Sequence, residues 1–172
     1  MKKLKQKGGF TLIEMLVCVL IMAILAVGMG TGITTAMRVY RDAVFCADSS
    51  SAAYNLNETM SDLLRYSTDI DPHATPAGGA SEVVTFTNYN YGAEHVYLTA
   101  DTDTGSIRMR SLMGTSEREI INLGAYPELK VTDMNIVYNE TEAYFTISYK
   151  IQSVPYPEKV SPVECTVRVL NG

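Results

Sequence analysis

The chain has 172 residues, of which 47% are hydrophobic and 19% charged, and its net charge at pH 7 is −5. This length is enough for one long helix and one domain with a modest core. Without the four lysines near the N-terminus, ten basic residues would face nineteen acidic ones, a net charge of −9. Because nucleic acid normally binds clusters of basic residues, we predict no direct contact with it.

A basic segment precedes a long apolar run at the N-terminus. The segment ends at Gly9, and from Phe10 the chain is apolar except for Glu14, with no further charged residue before Arg38. At about 1.5 Å per residue, roughly 20 of these residues span about 30 Å, the thickness of a bilayer's hydrocarbon core. We therefore predict a membrane-spanning helix whose basic end stays in the cytoplasm. The basic residues are Lys2, Lys3, Lys5 and Lys7.

Glu14 is the unusual residue of the apolar run. A carboxylate deep in lipid costs on the order of 2.5 to 3.5 kcal/mol, so it calls for a partner or a function. An ordinary secretory signal supplies neither, although the Leu-Ala-Val-Gly stretch at 25–28 could serve for its cleavage. A carboxylate that reaches back to the lipid headgroups is the simpler structural alternative.

The junction between the basic segment and the apolar run reads Gly-Phe-Thr-Leu-Ile-Glu from Gly9 to Glu14. This motif resembles the signature of type IV prepilins, which pilins share with the pseudopilins of type II secretion and DNA-uptake machines. The resemblance implies that a prepilin peptidase cuts between Gly9 and Phe10 on the cytoplasmic side. It also implies N-methylation of the new N-terminal residue, Phe10.

The same resemblance gives Glu14 a role in filament assembly. It implies that the carboxylate of an incoming subunit pairs with the Phe10 amine of its neighbour, in a poorly solvated setting that favours the ionised pair. The chain would then be a structural subunit without enzymatic activity or cofactor, either a minor pilin or a pseudopilin. Its implied partners are other such subunits, membrane lipid, an inner-membrane assembly platform and, indirectly, the ATPase of that platform.

The resemblance also predicts where the protein resides. We expect a single-pass membrane protein with its leader in the cytoplasm and its head outside, which later enters an extracellular or cell-surface filament. Two other interpretations remain open. One is a membrane-tethered β domain that binds a ligand and never polymerises, and the other is a domain secreted after cleavage beyond residue 25.

Small residues follow the most apolar part of the run. Gly28, Gly30 and Gly32 each cost a helix roughly 0.5 to 1 kcal/mol relative to alanine. They indicate a place where the helix bends or melts locally, or where a neighbouring helix approaches closely. A helix that simply leaves the membrane here is the alternative.

The helical period continues over residues 37–66. One stripe is apolar, and we expect it to be buried under a sheet. The opposite side is also apolar for an exposed helix, which indicates contact with neighbouring subunits or a helix embedded in a larger core. The stripe contains Val39, Phe45, Cys46, Ala52, Ala53, Leu56, Met60 and Leu63, and the opposite side contains Tyr40, Val44, Ala47 and Tyr54.

Two prolines and two glycines predict a break over residues 67–81. Beyond it, alternation of apolar and polar residues predicts antiparallel strands at 82–89, 94–100, 106–113, 117–123, 131–138, 142–152 and 163–170. Residues 101–105 and 139–141 are predicted to be turns between strands. A long helix followed by strands predicts an α+β, pilin-like fold. Its parts are a leader (1–9), a transmembrane half-helix (10–36), an amphipathic half-helix (37–66) and a β head (67–172).

Candidate catalytic and metal-binding residues are few. His73 lies in the predicted break and His95 on an exposed strand position, so neither has the neighbours that a catalytic or zinc site needs. Asp101, Asp103 and Gly105 resemble the start of a calcium loop. Leu112 occupies the twelfth position where such a loop has glutamate, so we favour a simple turn and predict no metal.

The cysteines and two short motifs leave alternatives open. Cys46 on the helix and Cys165 on a strand could form a disulfide, or both could be buried thiols, whereas Cys18 is interpreted as a small packing residue. Asn57 and Asn139 each begin a glycosylation sequon by pattern only. The proline-rich residues 155–162 could form either a contact surface or a connection.

Overall fold

A computed structural model describes residues 11–76, 81–101, 103–113, 117–121 and 123–170. Helix α1 spans Leu12–Arg65. The strands are β1 (Thr68–Ala74), β2 (Val83–Asn88), β3 (Ala93–Ala100), β4 (Ile107–Ser111), β5 (Glu117–Ile121), β6 (Leu129–Asn139), β7 (Tyr144–Ser153) and β8 (Val160–Arg168). Short 3-10 helices cover Tyr89–Tyr91 and Leu123–Ala125. The chain divides into two compact units, Met1–Val44 and Phe45–Gly172.

The strands form two antiparallel sheets, one with the order β1-β2-β3-β4-β5 and one with the order β6-β7-β8. The predicted α+β class, with a long N-terminal helix packed against antiparallel sheets, is therefore confirmed. Every predicted strand overlaps an observed one. The alternation is clearest in β7, where Phe145, Ile147, Tyr149 and Ile151 are buried and the residues between them face outward. The sequence pattern did not separate the strands into two sheets, because it carries no information on which strands pair.

The prediction of a break over residues 67–81 is wrong for its first half, which forms β1. Pro72 is tolerated there because β1 is the edge strand of its sheet, where a missing N–H breaks no central ladder. The strand is also irregular, with register shifts on both sides of Asp71 and a positive φ of 50° at Asp69. Strand β8 is also an edge strand, so it can include Pro162. Because β8 begins at Val160, the predicted loop at 155–162 is shorter than expected.

The first unit contributes an uninterrupted helical segment. The described residues 11–44 of the chain are exposed, including the large apolar residues of the predicted membrane run. The helix continues through Gly28, Gly30 and Gly32, and a Cβ at any of these positions would meet nothing within 4 Å. By length and composition, this is a helix that could cross a membrane.

In the second unit, the C-terminal half of α1 provides one side of the hydrophobic core. Ser49, Ala52, Leu56, Met60 and Leu63 recur every three or four residues and are buried, as is Leu64. The predicted apolar stripe is thus confirmed over residues 52–63, although Ala53 is only half-buried. The residues that pack around it come from both sheets and include Phe86, Ile107, Val131, Phe145, Ile147 and Ile151.

Hydrogen bonds attach this half of α1 to β7, to β2 and to the segment that follows β8. The Tyr149 hydroxyl on β7 donates to Asn57 Oδ1 at 2.8 Å. Buried Asn88 Nδ2 donates to the Leu63 carbonyl at 2.6 Å, and the Leu170 amide donates to the Arg65 carbonyl at 2.9 Å. Because carbonyls in the last turn of a helix lack partners within it, the last two bonds satisfy groups that would otherwise need water.

We predict that Tyr149→Phe lowers the free energy of unfolding by about 1 kcal/mol, because it removes the hydroxyl that bonds Asn57. Burial raises the pKa of Tyr149, so the phenol stays a protonated donor at all ordinary pH values. Tyr54→Phe is the matched control, since Tyr54 is 68% exposed. Urea unfolding of the full chain in neutral detergent measures both. Equal stability of the two variants would contradict the assigned role of Tyr149.

Candidate functional site

The Glu14 carboxylate forms a capping box with Thr11 at the start of α1. Glu14 Oε2 accepts hydrogen bonds from the Thr11 amide and the Thr11 hydroxyl, both at 2.8 Å. In return, the Glu14 amide donates to Thr11 Oγ1 at 3.4 Å. This reciprocal arrangement satisfies donors that the first turn of a helix leaves free.

Sequence reasoning missed the capping box, although its signal is present. A threonine followed three residues later by glutamate, directly before an apolar run, is the usual pattern. From the sequence alone, the carboxylate has two other possible partners, the amine of a neighbour and lipid headgroups. A carboxylate accepts up to about four hydrogen bonds, so the two from Thr11 leave capacity for a further cationic partner. Gly9 and Phe10, the predicted cleavage and methylation residues, lie outside the described residues.

Asp101, the first residue of the sequence that resembles a calcium loop, accepts hydrogen bonds within the turn at residues 101–105. Asp101 Oδ1 accepts from the Asp103 amide at 2.9 Å, and Asp101 Oδ2 accepts from the Thr104 hydroxyl at 2.9 Å. These hydrogen bonds hold the pKa of Asp101 below its ordinary value. Gly105 closes the turn with a φ of +67°, and a Cβ there would lie 2.7 Å from Lys130 Cα. The predicted turn between β3 and β4 is thus present.

An ion-pair network joins this turn to strands β4 and β5. Arg108 lies 2.8 Å from Asp101 Oδ2 and 3.0 Å from Glu117 Oε1, and Arg110 lies 3.1 Å from the same Glu117 oxygen. Hydrogen bonds from Arg108 and then Arg110 lower the pKa of Glu117. The network is therefore a feature of head stability, and its acidic members are occupied by cations of the chain itself.

We predict that this network makes the head sensitive to acid. Because the pKa values of Asp101 and Glu117 are lowered on folding, their contribution is complete above about pH 5 and is lost as the pH falls through the lowered values. Glu117→Gln should show a smaller drop in urea midpoint between pH 5 and pH 2 than the unaltered chain. Glu128→Gln, at an exposed residue outside the network, is the control. A parallel drop in all three chains would exclude this role.

The two histidines lie on different strands. His73 on β1 is 3.0 Å from Glu82, and His95 is exposed on β3 with a φ of +46°. Within the described ranges, no group of three or more His, Cys, Asp or Glu residues is placed to hold a metal ion.

The cysteines are free thiols in the structure. Cys18 and Cys46 are exposed, and Cys165 is half-buried on β8, opposite Ile147. Burial raises the pKa of the Cys165 thiol. The prediction of a buried Cys46 is wrong, because the covered face of α1 runs through Phe45 and Ser49 and leaves Cys46 on its flank.

Both sequon asparagines have structural roles. Asn57 accepts the Tyr149 hydroxyl bond described above. Asn139 Oδ1 accepts from the Thr141 amide at 3.0 Å and the Glu142 amide at 3.1 Å, which closes the predicted turn between β6 and β7.

Comparison with known families identifies the N-terminal segment. Residues 4–30 match the family model described as the prokaryotic N-terminal methylation motif. This motif is the signature of type IV pilins and pseudopilins, so the predicted resemblance is confirmed. The matched segment contains Gly9, Phe10 and Glu14. Comparison with curated proteins and with solved structures finds no match.

The motif supports a type IV pilin-like or pseudopilin subunit, and the long helix packed on antiparallel sheets agrees with that class. The signature implies a structural subunit rather than an enzyme. Together with the apolar helix that begins at Leu12, it indicates anchoring in a membrane.

Proposed function

We propose that the protein is a structural subunit, a minor pilin or pseudopilin, of a type IV pilus-like filament. It is made as a single-pass prepilin with its head outside, cut after Gly9, methylated on Phe10 and transferred into the filament. The observation that supports this most strongly is the methylation motif at residues 4–30, which leads into an exposed apolar helix. Residues 1–9 are then the leader, 10–36 the transmembrane half, 37–66 the amphipathic half and 67–172 the head.

Prepilin peptidase is the first partner in this proposal. Gly9 lacks a side chain, so the peptide bond after it can enter a narrow protease cleft and adopt torsion angles that other residues resist. The lysines of the leader keep this bond on the cytoplasmic side. Processing frees the Phe10 amine one residue before Thr11.

We predict that Gly9→Val leaves the full-length precursor in the membrane, because the branched side chain blocks the cleft. Gly8→Val is the matched control and should be processed. Immunoblots of membranes from cells that express the cognate peptidase distinguish precursor from mature chain by size. Normal processing of Gly9→Val would rule out the proposed cleavage site.

In the filament, Glu14 pairs with the Phe10 amine of a neighbouring subunit. The contacts from Thr11 to Glu14 Oε2 support this role, because they hold the carboxylate at the end of the helix, close in sequence to the new amine. Opposite charges in a poorly solvated setting attract strongly, and the pair would fix the axial position of one helix against the next. Thr11 is therefore a positioning residue for Glu14.

Two substitutions of Glu14 distinguish the role of its negative charge from its role as a helix cap. Glu14→Gln keeps an oxygen that accepts the Thr11 amide bond but removes the charge, whereas Glu14→Ala removes both. Breaking a buried charge pair costs about 3 to 5 kcal/mol, so both variants should be processed yet enter filaments more than tenfold less than the unaltered chain. The mature subunit in sheared filaments and in membranes, quantified by immunoblot, measures this. Incorporation of Glu14→Gln at the normal level would show that the carboxylate serves only as a cap.

The helix has surfaces for the neighbouring subunits that this function requires. Tyr40 and Val44 are exposed in the first unit, and Ala47 and Tyr54 are exposed on the part of α1 that belongs to the second unit. In the assembled state these residues pack against other subunits. An inner-membrane assembly platform, and through it an ATPase, supplies the work of extraction, and the filament lies at the cell surface.

A further inference from the structure

A cleft of about 320 Å³ lies between the first hairpin and strand β6 of the head. Its floor is apolar: Val84 is buried, and Ile136 and Tyr138 are half-buried against the core. Its rim is charged and comes from other parts of the chain, with His73 on β1, Glu82 just before β2 and Glu140 in the turn after β6. None of these residues takes part in the proposed assembly of the helix.

The charge of the rim is negative. His73 Nδ1 lies 3.0 Å from Glu82 Oε2, and both side chains are well exposed. Three carboxylates act on the imidazole from the elements around it: Glu82 directly, Asp71 from β1 itself and Glu140 from the turn between β6 and β7. Even with His73 protonated, the carboxylates outnumber the cation. A ligand that matches this cleft therefore combines a positive charge with an apolar stem.

We propose that this cleft binds an arginine side chain of a basic segment in a partner protein, with the guanidinium on Glu82 and Glu140 and the aliphatic stem on Val84, Ile136 and Tyr138. Arginine fits because its long stem covers apolar surface while its planar head bonds two carboxylates at once. A small hydrated cation would leave the apolar floor uncovered. An arginine side chain uses both parts of the cleft.

In the free protein, the His73 imidazole occupies the place where the positively charged group of the ligand would bind. The imidazole lies on Glu82, where the guanidinium would bind, so the ligand has to displace it. The hydrogen bond and charge of Glu82, followed by the charges of Asp71 and Glu140, raise the pKa of His73 above 6.5. Below that pKa the imidazolium competes for Glu82 and repels the ligand. Above it the histidine is neutral, so binding strengthens as the pH rises.

The test uses the full chain in neutral detergent and the peptide acetyl-Gly-Arg-Gly-amide as probe. Methyl NMR shifts of Val84 and Ile136 report binding in the cleft. We expect the affinity to rise about twofold to fivefold between pH 5.5 and pH 8.5, as suits an exposed ion pair. The same peptide with citrulline in place of arginine keeps the shape without the charge. Equal binding of the two peptides, or an affinity that does not change with pH, would overturn the proposal.

Two variants and one control variant assign the effect to its residues. Glu82→Gln should lose most of the arginine binding, and Glu158→Gln, at an exposed glutamate elsewhere on the head, should bind normally. His73→Gln should bind as tightly at pH 5.5 as at pH 8.5, because no titrating competitor remains. Equal losses in Glu82→Gln and Glu158→Gln would mean general attraction to an acidic head and would refute the site. Tighter binding of putrescine than of the arginine peptide would contradict a protein partner.

Discussion

The head depends on burial of one face of α1. Ala52, Leu56, Met60 and Leu63 lie within a single core to which both sheets contribute. Tyr149, Asn88 and Leu170 donate hydrogen bonds directly to the helix. Strands of both sheets place apolar side chains around this face, among them Phe86, Ile107 and Phe145. The helix is therefore the element around which the strands are arranged, and its last turn is held by bonds from distant parts of the sequence.

The N-terminal half of the same helix, by contrast, has no buried residue among those that the structure describes. Its apolar residues are exposed, and an apolar surface of this extent is not stable in water. We propose that lipid covers this surface before assembly and that neighbouring helices cover it afterwards. Glu14 is the single charge placed within that surface. Thr11 holds its carboxylate at the helix end, so one residue can both start the helix and present a negative charge to a neighbour.

Local patterns predicted much of this structure. The methylation motif, the helical period and the alternation in β7 all depend on neighbouring residues, and these predictions were confirmed. The pairing of strands into two sheets and the bonds of Asn88 and Leu170 to the helix join residues far apart in sequence, so no local pattern contains them. Strand β1 was missed because Pro72 normally ends a strand, and only its edge position makes it acceptable. The capping box was readable from Thr11 and Glu14 and was overlooked, since the motif had already given the glutamate a different role.

The proposed function requires that the chain is processed as a prepilin. The most direct test is the intact mass and N-terminal sequence of the protein recovered from cells that express its own processing machinery. We expect a mature chain that begins at Phe10 and carries one additional methyl group on its amine. A chain that begins beyond residue 25, as after ordinary signal cleavage, would contradict the account, and so would one that keeps its leader.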